Sequence, residues 1–357
     1  MTSKKVVTID FYDEADVVFV FEQDDVTTKM RVSSHILRSS CKTFNTMFGP
    51  NFAERQQLDA EDPKEKALED GVFAMKIICQ VLHNKHEELA EKLNSDQLDK
   101  VAQVIDKYDL STSMRYAMES WLYPYYIPKV PRAEGISRAC AVLKIAIDLK
   151  YPVAFKDITL ILLCYCSSSY YNLMPWAFAS VNNWKMLSKS SISCSFHILT
   201  HHLDKLTAER TRIRNEILNL ILSYPQSNTR EDCSCASSYF GAFALNASNA
   251  GLIPREINEK EVTDTFFRVL TLPEPAIGKP CGSCGAAADW GNPNTREAFD
   301  TKAMRQRLMT SIVDLQSGMR GLCYHCIYEP DLNQRPCDCA SAEVVKEDDE
   351  HNDEDAY

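Results

Sequence analysis

The sequence has no apolar run long enough to cross a membrane. Its longest, at residues 158–166 with one threonine, is about nine residues, whereas a membrane-spanning helix needs about 20. The opening residues, MTSKKVVTIDFYDEAD, carry acidic side chains where a signal peptide has its apolar segment. We therefore expect a chain that neither spans a membrane nor is secreted, and that works in the cytoplasm, the nucleus or both.

Basic residues are too few for a nucleic-acid-binding surface. The 39 lysines and arginines are outnumbered by 50 aspartates and glutamates, which gives a net charge of -11. Binding to a phosphate backbone instead requires a basic stripe or patch. The sequence also lacks a phosphate-binding loop, a nucleophile–base grouping and a paired-carboxylate signature. We therefore predict a non-enzyme that does not bind nucleic acid.

The composition is nevertheless that of a folded protein. Apolar residues make up 45% of the 357 positions, which is enough for two or three domains with hydrophobic cores. The 14 cysteines would be reduced inside a cell. Clustered cysteines are therefore interpreted as metal ligands before they are interpreted as disulfides.

The most regular pattern in the chain lies at residues 16–54. An apolar run at 17–21, a polar turn and an alternating stretch at 28–32 predict a β-hairpin with one strand buried on both faces. The serines at 33–34 and Ser40 are predicted to cap two short helices. The stretch therefore predicts a compact α+β unit.

The order of four short motifs in this stretch resembles the BTB (POZ) domain. They are an aspartate at 16, R-V-x-S-H-x-L at 31–37, T-F-x-x-M-F at 43–48 and F-x-E at 52–54. The likeness continues to D-K-Y-D at 106–109 and to Trp121. The resemblance implies an α+β domain in which a small sheet packs against a helical bundle.

Helical periodicity follows the hairpin. The charged segment 59–70 is predicted to be a surface loop. The apolar residues between Val72 and Leu122 recur at helical spacing and predict three helices. Three prolines within 123–131 predict a linker, so the last of these helices is expected to end near Leu122.

The sequence thus predicts an α+β fold class with a BTB/POZ domain, followed by a mainly helical region whose cysteine-rich part is held by zinc. The predicted organisation is a lead-in or edge strand at 1–15, the BTB/POZ domain at 16–122, a proline-rich linker at 123–131, a helical domain at 132–225, a cysteine-rich helical region at 226–340 and an acidic, disordered tail at 341–357.

Two C-x-x-C pairs in the last third of the chain predict a metal centre. They are Cys281 with Cys284 and Cys323 with Cys326. Two thiolates separated by a tight turn can face one ion at Zn–S distances of about 2.3 Å. A zinc site filled by four cysteines is structural, because a catalytic zinc keeps one position open for water. Unliganded thiols and a redox pair are the alternatives.

Two C-x-C pairs extend this prediction. Cys233 with Cys235 and Cys337 with Cys339 are candidates for a second site or for replacing one pair in the first, and His325 is a further candidate ligand. Beyond its first third, the chain resembles fungal BTB proteins. The shared motifs are C-x-C, Y-F-G-A, C-x-x-C and G-L-C-x-x-C, which here lie at 233–235, 239–242, 281–284 and 321–326.

The resemblance implies that the chain binds other proteins. Adaptor members of the family recruit a cullin through a hydrophobic-x-glutamate element after the second helix, which Phe52 and Glu54 match. We assign Phe48, Phe52 and Glu54 to partner binding, the alternative being that Phe52 packs onto Phe48 and Glu54 is solvated. The function expected is an adaptor that brings a client to a cullin-based ubiquitin ligase. A self-associating, dimeric scaffold or transcriptional cofactor is the alternative, and a zinc enzyme is a third.

Other histidines and arginines have simpler explanations. His83 and His86 lie near a helix end and are interpreted as solvated rather than as metal ligands. Arg210, Arg212 and Arg214 are interpreted as the solvated face of an amphipathic helix with a local salt bridge, rather than as a nucleic-acid patch.

Overall fold

The structure is a computed structural model. It describes residues 5–23, 25–49, 62–85, 87, 89, 92–126, 133–173, 189–224, 234–275 and 301–328. Over these residues the chain is a mixed α+β protein, in which a small four-stranded sheet lies at the N-terminal end and helices follow. The predicted α+β class is therefore confirmed.

The predicted hairpin is present as β2 (Val17–Gln23) and β3 (Val26–Val32). The two strands pair antiparallel, with Phe19 opposite Met30. Consecutive side chains of β2 at 17, 18 and 19 are all buried, so the prediction of a strand buried on both faces is confirmed. Period-2 alternation in β3 sets the register, because a one-residue slip would bring Lys29 to the core side.

Two further strands complete the sheet. β1 (Lys5–Asp10) pairs parallel with β3, and β4 (Lys64–Ala67) pairs parallel with β2. The strand order is β1-β3-β2-β4. Residues 5–10 thus form an edge strand, which is one of the two options predicted for residues 1–15. Residues 64–67 were predicted to lie in a loop and instead form the opposite edge, where the exposed Glu65 pairs with Lys29 of β3.

Most of the described chain is helical. The helices are α1 (Ser34–Ser40), α2 (Lys42–Met47), α3 (Val72–Leu82), α4 (Ser95–Tyr108), α5 (Arg115–Tyr126), α6 (Ala133–Asp148), α7 (Pro152–Tyr165), α8 (Lys189–Ser223), α9 (Ser234–Asn249), α10 (Pro254–Ile257), α11 (Val262–Leu270), α12 (Thr301–Ser317) and α13 (Tyr324–Tyr328), with a 3-10 turn at Tyr170–Leu173. The three helices predicted between residues 72 and 122 are present as α3, α4 and α5.

Helix α5 continues past its predicted end near Leu122. Pro124 lies inside it, where proline removes one backbone hydrogen bond. Tertiary contacts hold the last turn: the Tyr125 hydroxyl donates to the carbonyl of Leu93 at 2.6 Å, and Tyr126 is buried. The helix therefore tolerates the proline, and the segment predicted as a linker begins with helix.

Buried apolar side chains form two cores. The first core takes side chains from β2, β3 and α1 to α7, together with Leu203 and Leu206 of α8. The second core takes side chains of α8 from Ile213 onwards, and of α9 to α12. Helix α8 therefore contributes to both, and the first core extends across the boundary predicted at 123–131. No helix within the described ranges has the length and apolar content needed to cross a membrane.

Candidate functional site

Asp16 joins the start of β2 to the start of α1. Its Oδ1 accepts a hydrogen bond from the backbone N–H of Ser34 at 2.7 Å, and its Oδ2 accepts one from the Ser34 hydroxyl at 2.6 Å. A carboxylate at a helix N-terminus also interacts favourably with the helix dipole. Of the two serines predicted to cap this helix, Ser33 makes no side-chain capping bond, and the Ser34 hydroxyl donates to Asp16 instead. The capping group thus comes from a residue distant in sequence, and two motif positions meet in space.

His83 holds the same turn from the other side. The backbone N–H of Ser33 donates to its Nε2 at 3.0 Å, so the proton lies on Nδ1, which donates to the carbonyl of Cys79 at 3.0 Å. His83 is 7% exposed, so the interpretation of a solvated helix end was wrong. Burial lowers the pKa of His83; the hydrogen bond with the Cys79 carbonyl partly opposes this effect, and the charge of Lys85 adds to it.

This arrangement predicts a pH-dependent stability. The folded state holds the pKa of His83 below its unfolded value of about 6.5, so the unfolded chain takes up a proton first as the pH falls. Stability supplied by the neutral ring is complete above that value and is lost as the pH falls below it. Between about pH 7.5 and about pH 5.5, we expect wild type to lose more unfolding free energy than His83→Gln.

The exposed His35 on α1 supplies the control for this measurement. Urea titrations at the two pH values should show that His35→Gln follows wild type. Equal pH dependence in wild type and His83→Gln would show that the buried ring does not govern this turn.

An aromatic cluster fills the space between the sheet, α2 and α4. The Phe44 ring centroid lies 4.8 Å from that of Tyr108 and 6.2 Å from those of Phe19 and Phe48. Phe48, assigned to partner binding, is only 1% exposed. The assignment of Phe48 is therefore corrected: it is a core residue, because its ring completes this cluster. The other two partner-binding positions, 52 and 54, lie outside the described residues.

The predicted metal ligands are described only in part. Cys323 is half-buried and Cys326 is exposed, and neither forms a disulfide. Cys235 falls within α9, while Cys233, Cys281, Cys284, Cys337 and Cys339 lie outside the described residues. In the part of the chain that the structure describes, no three histidine, cysteine or acidic side chains come together as a metal site. The two described thiols fit half of a four-cysteine set, since thiolate sulfur suits Zn²⁺.

The G-L-C motif has a clear structural basis. A Cβ atom on Gly321 would lie 1.7 Å from the Lys156 carbonyl oxygen, so only glycine permits this approach to α7. The N–H of Leu322 donates to Oγ1 of Thr159 at 2.8 Å. Tyr324 packs its ring 5.6 Å from that of Phe155. The segment that carries the C-x-x-C pair is thus fixed to the first core.

Comparisons of the chain with protein-family models, with curated proteins and with solved structures found no match. The geometry of the described residues is therefore the main basis for any functional argument. The motif resemblance at residues 16–54 stands beside it as a hypothesis.

Proposed function

We propose that the chain is a protein–protein interaction module of BTB/POZ type that recruits a client protein to a cullin-based ubiquitin ligase. The observation that supports this proposal most is the contact of Asp16 with Ser34. It brings two pieces of the resembling motif together in a four-stranded α+β unit, and Phe44 of a third piece is buried in the core of the same unit, against Phe19 of β2. The motif therefore consists of residues that cooperate physically, as expected for a motif that specifies a domain.

In this proposal the N-terminal part of the chain binds the cullin and the rest binds the client. The F-x-E element at 52–54 follows α2 and would supply an aromatic anchor beside a carboxylate, a combination suited to a groove on a partner. The helical and cysteine-rich regions would bind the client. Zinc bound by Cys323, Cys326 and two further cysteines would be structural, because four thiolates leave no open position for a water or a substrate. Such a zinc ion would stabilise the client-binding region.

The test is a quantitative binding assay between the full chain and a cullin. The double variant Phe52→Ala/Glu54→Ala should bind at least about tenfold more weakly, because truncating an anchor residue commonly costs 2 kcal/mol or more. Tyr12→Ala/Asp13→Ala is the matched control. It removes an aromatic ring and a carboxylate from exposed neighbouring positions and should bind like wild type. Binding that survives the Phe52/Glu54 change would reject this docking element.

The exposed sheet edge favours a second candidate, a self-associating scaffold or transcriptional cofactor without a ligase role. β1 is an edge strand of the described sheet, and Val6 on it is 58% exposed. Edge strands of this kind can pair with a second chain. Molecular mass in solution separates the candidates: a dimer that ignores cullin favours the scaffold.

A further inference from the structure

A cavity of about 420 Å³ lies where α7, α8 and the segment 318–324 meet. Its volume falls within the range of small-molecule sites, about 300–1,000 Å³. The cavity is distant in sequence from the motifs at residues 16–54, and no residue assigned to partner binding lines it. Part of its lining is held in place by contacts with α7. Gly321 lies close against the backbone of α7, and the N–H of Leu322 donates a hydrogen bond to Thr159.

Positive charge dominates the polar wall of this cavity. Lys156, Arg212 and Arg320 line it, against a single carboxylate, that of Glu209. Arg212 is already neutralised: it makes a two-pronged ion pair with Glu209, at 2.9 and 2.6 Å, and a second ion pair with Glu216. Within the described residues, neither of the other two cations makes a salt bridge, although the charge of Lys156 acts on the adjacent Asp157 carboxylate and opposes the burial that raises the pKa of that group.

The two remaining cations are therefore available to a ligand. Arg320 uses Nη1 to donate to the carbonyls of Ser317 and Met319, at 2.6 and 2.9 Å, which orients its guanidinium. Lys156 lies within α7, one turn after Pro152, which also lines the cavity. Two cations held on separate elements around one cavity, in a chain of net charge -11, form a local site of opposite sign to the whole protein.

The rest of the lining is mainly apolar. Pro152, Val153, Leu322 and Tyr324 contribute to it, together with Cys323 and two glycines. Val153 is exposed although it is apolar, and it lies at this wall. A lining of this kind favours a ligand with a hydrophobic body.

We propose that this cavity binds a small organic anion, in which one phosphate or carboxylate group contacts Lys156 and Arg320 and an apolar or aromatic body lies against Pro152 and Leu322. The two cations supply charge-assisted hydrogen bonds, which are stronger than neutral ones. The site shares no residue with the F-x-E element, whereas Cys323, a candidate zinc ligand in the proposed client-binding region, is among the residues that line it.

Isothermal titration calorimetry on the full chain tests the site with four probes. Phenyl phosphate and 3-phenylpropionate carry both an anionic group and a ring, 3-phenyl-1-propanol lacks the charge, and inorganic phosphate lacks the ring. At least one of the first two should bind tightest, and which of them does so identifies the anionic group. Equal binding of the alcohol would overturn the role of the cations, and equal binding of inorganic phosphate would overturn the role of the apolar wall.

Matched variants locate the binding. Lys156→Gln/Arg320→Gln should weaken the better probe by about tenfold or more, as expected for two lost charge-assisted bonds. Lys205→Gln/Arg255→Gln removes the same charge from exposed positions outside the cavity and should bind like wild type. If the double variant fails to fold, Lys156→Gln alone replaces it. This variant leaves the Arg320 hydrogen bonds intact and should lose less affinity for the probe than the double variant is expected to lose. Equal weakening by the control pair, or no binding of either anionic probe to wild type, would overturn the proposal.

Discussion

Replacing Phe44 by alanine is expected to lower the free energy of unfolding by about 4 kcal/mol, the usual cost of truncating a buried phenylalanine. Phe44 is fully buried, and its ring packs against those of Phe19, Phe48 and Tyr108. It therefore joins β2, α2 and α4. The surrounding rings are fixed on three elements and cannot all move inward, so a cavity would remain.

Urea titration followed by circular dichroism measures the loss. The neighbouring Asn45 on α2 is exposed and provides the control, since Asn45→Ala should change stability by no more than about 0.5 kcal/mol. Phe44→Leu keeps most of the apolar volume and should fall between the two. A Phe44→Ala protein within about 1 kcal/mol of wild type would show that the aromatic cluster does not hold the N-terminal unit together.

The parts of this unit that could be predicted are those encoded by local pattern. Alternation at residues 28–32 identified β3, and the apolar run at 17–21 identified its buried partner β2. Helical spacing of apolar residues identified α3 and α4. In each case one face of the element is buried, so the period of the sequence carries the information.

What could not be predicted depends on contacts between distant residues. Strand β4 consists of Lys64, Glu65, Lys66 and Ala67, and its composition is that of a loop. It is a strand because β2 offers an unpaired edge. His83 resembled a solvated helix end because nothing nearby in sequence shows that the N–H of Ser33, 50 positions away, donates to it. Tyr126 similarly anchors the end of α5 by burial rather than by propensity.

In the candidate sites, too, local pattern was predictable and contacts between distant residues were not. The spacing of Cys323 and Cys326 was visible in the sequence, whereas the reason for Gly321 beside them was not, because it lies in the approach of this segment to α7. The cavity lined by Lys156 and Arg320 joins positions more than 150 residues apart on the sequence. No local motif marks such a site. The one weak signal was that neither Lys156 nor Arg320 has an acidic residue three or four positions away with which it could pair on a helix.

The arginines of α8 were the largest error of interpretation. Arg212 is exposed and paired with glutamates, as expected for a solvated face. Arg210 and Arg214 are buried instead. The guanidinium of Arg214 donates through Nη2 to the carbonyl of Lys260, and burial, followed by the charge of Arg210, lowers its pKa to about 10. The two buried side chains lie where α8 passes from the first core to the second, so this face of the helix is an internal junction.

Arg210 caps the C-terminal end of α7. Its Nη1 donates to the carbonyls of Cys166 and Ser168 at 2.8 and 2.7 Å, and its guanidinium carbon lies 4.1 Å from the centroid of the buried Tyr170 ring. Carbonyl groups at a helix C-terminus carry partial negative charge, and an aromatic face attracts a cation. Among the described residues no carboxylate pairs with Arg210, so these groups stabilise its charge.

Arg210→Met is therefore expected to lower the free energy of unfolding by about 2 kcal/mol, because it leaves the buried Cys166 carbonyl without its donor and removes the charge from the face of Tyr170. Arg210→Lys keeps the charge but loses the planar fork, and should lose less. Arg212→Met on the same helix is the control: it removes the exposed ion pairs with Glu209 and Glu216 and should cost no more than about 1 kcal/mol. Urea titration of the three variants measures the order. Equal losses for Arg210→Met and Arg212→Met would mean that the cap on α7 adds nothing to the junction between the two cores.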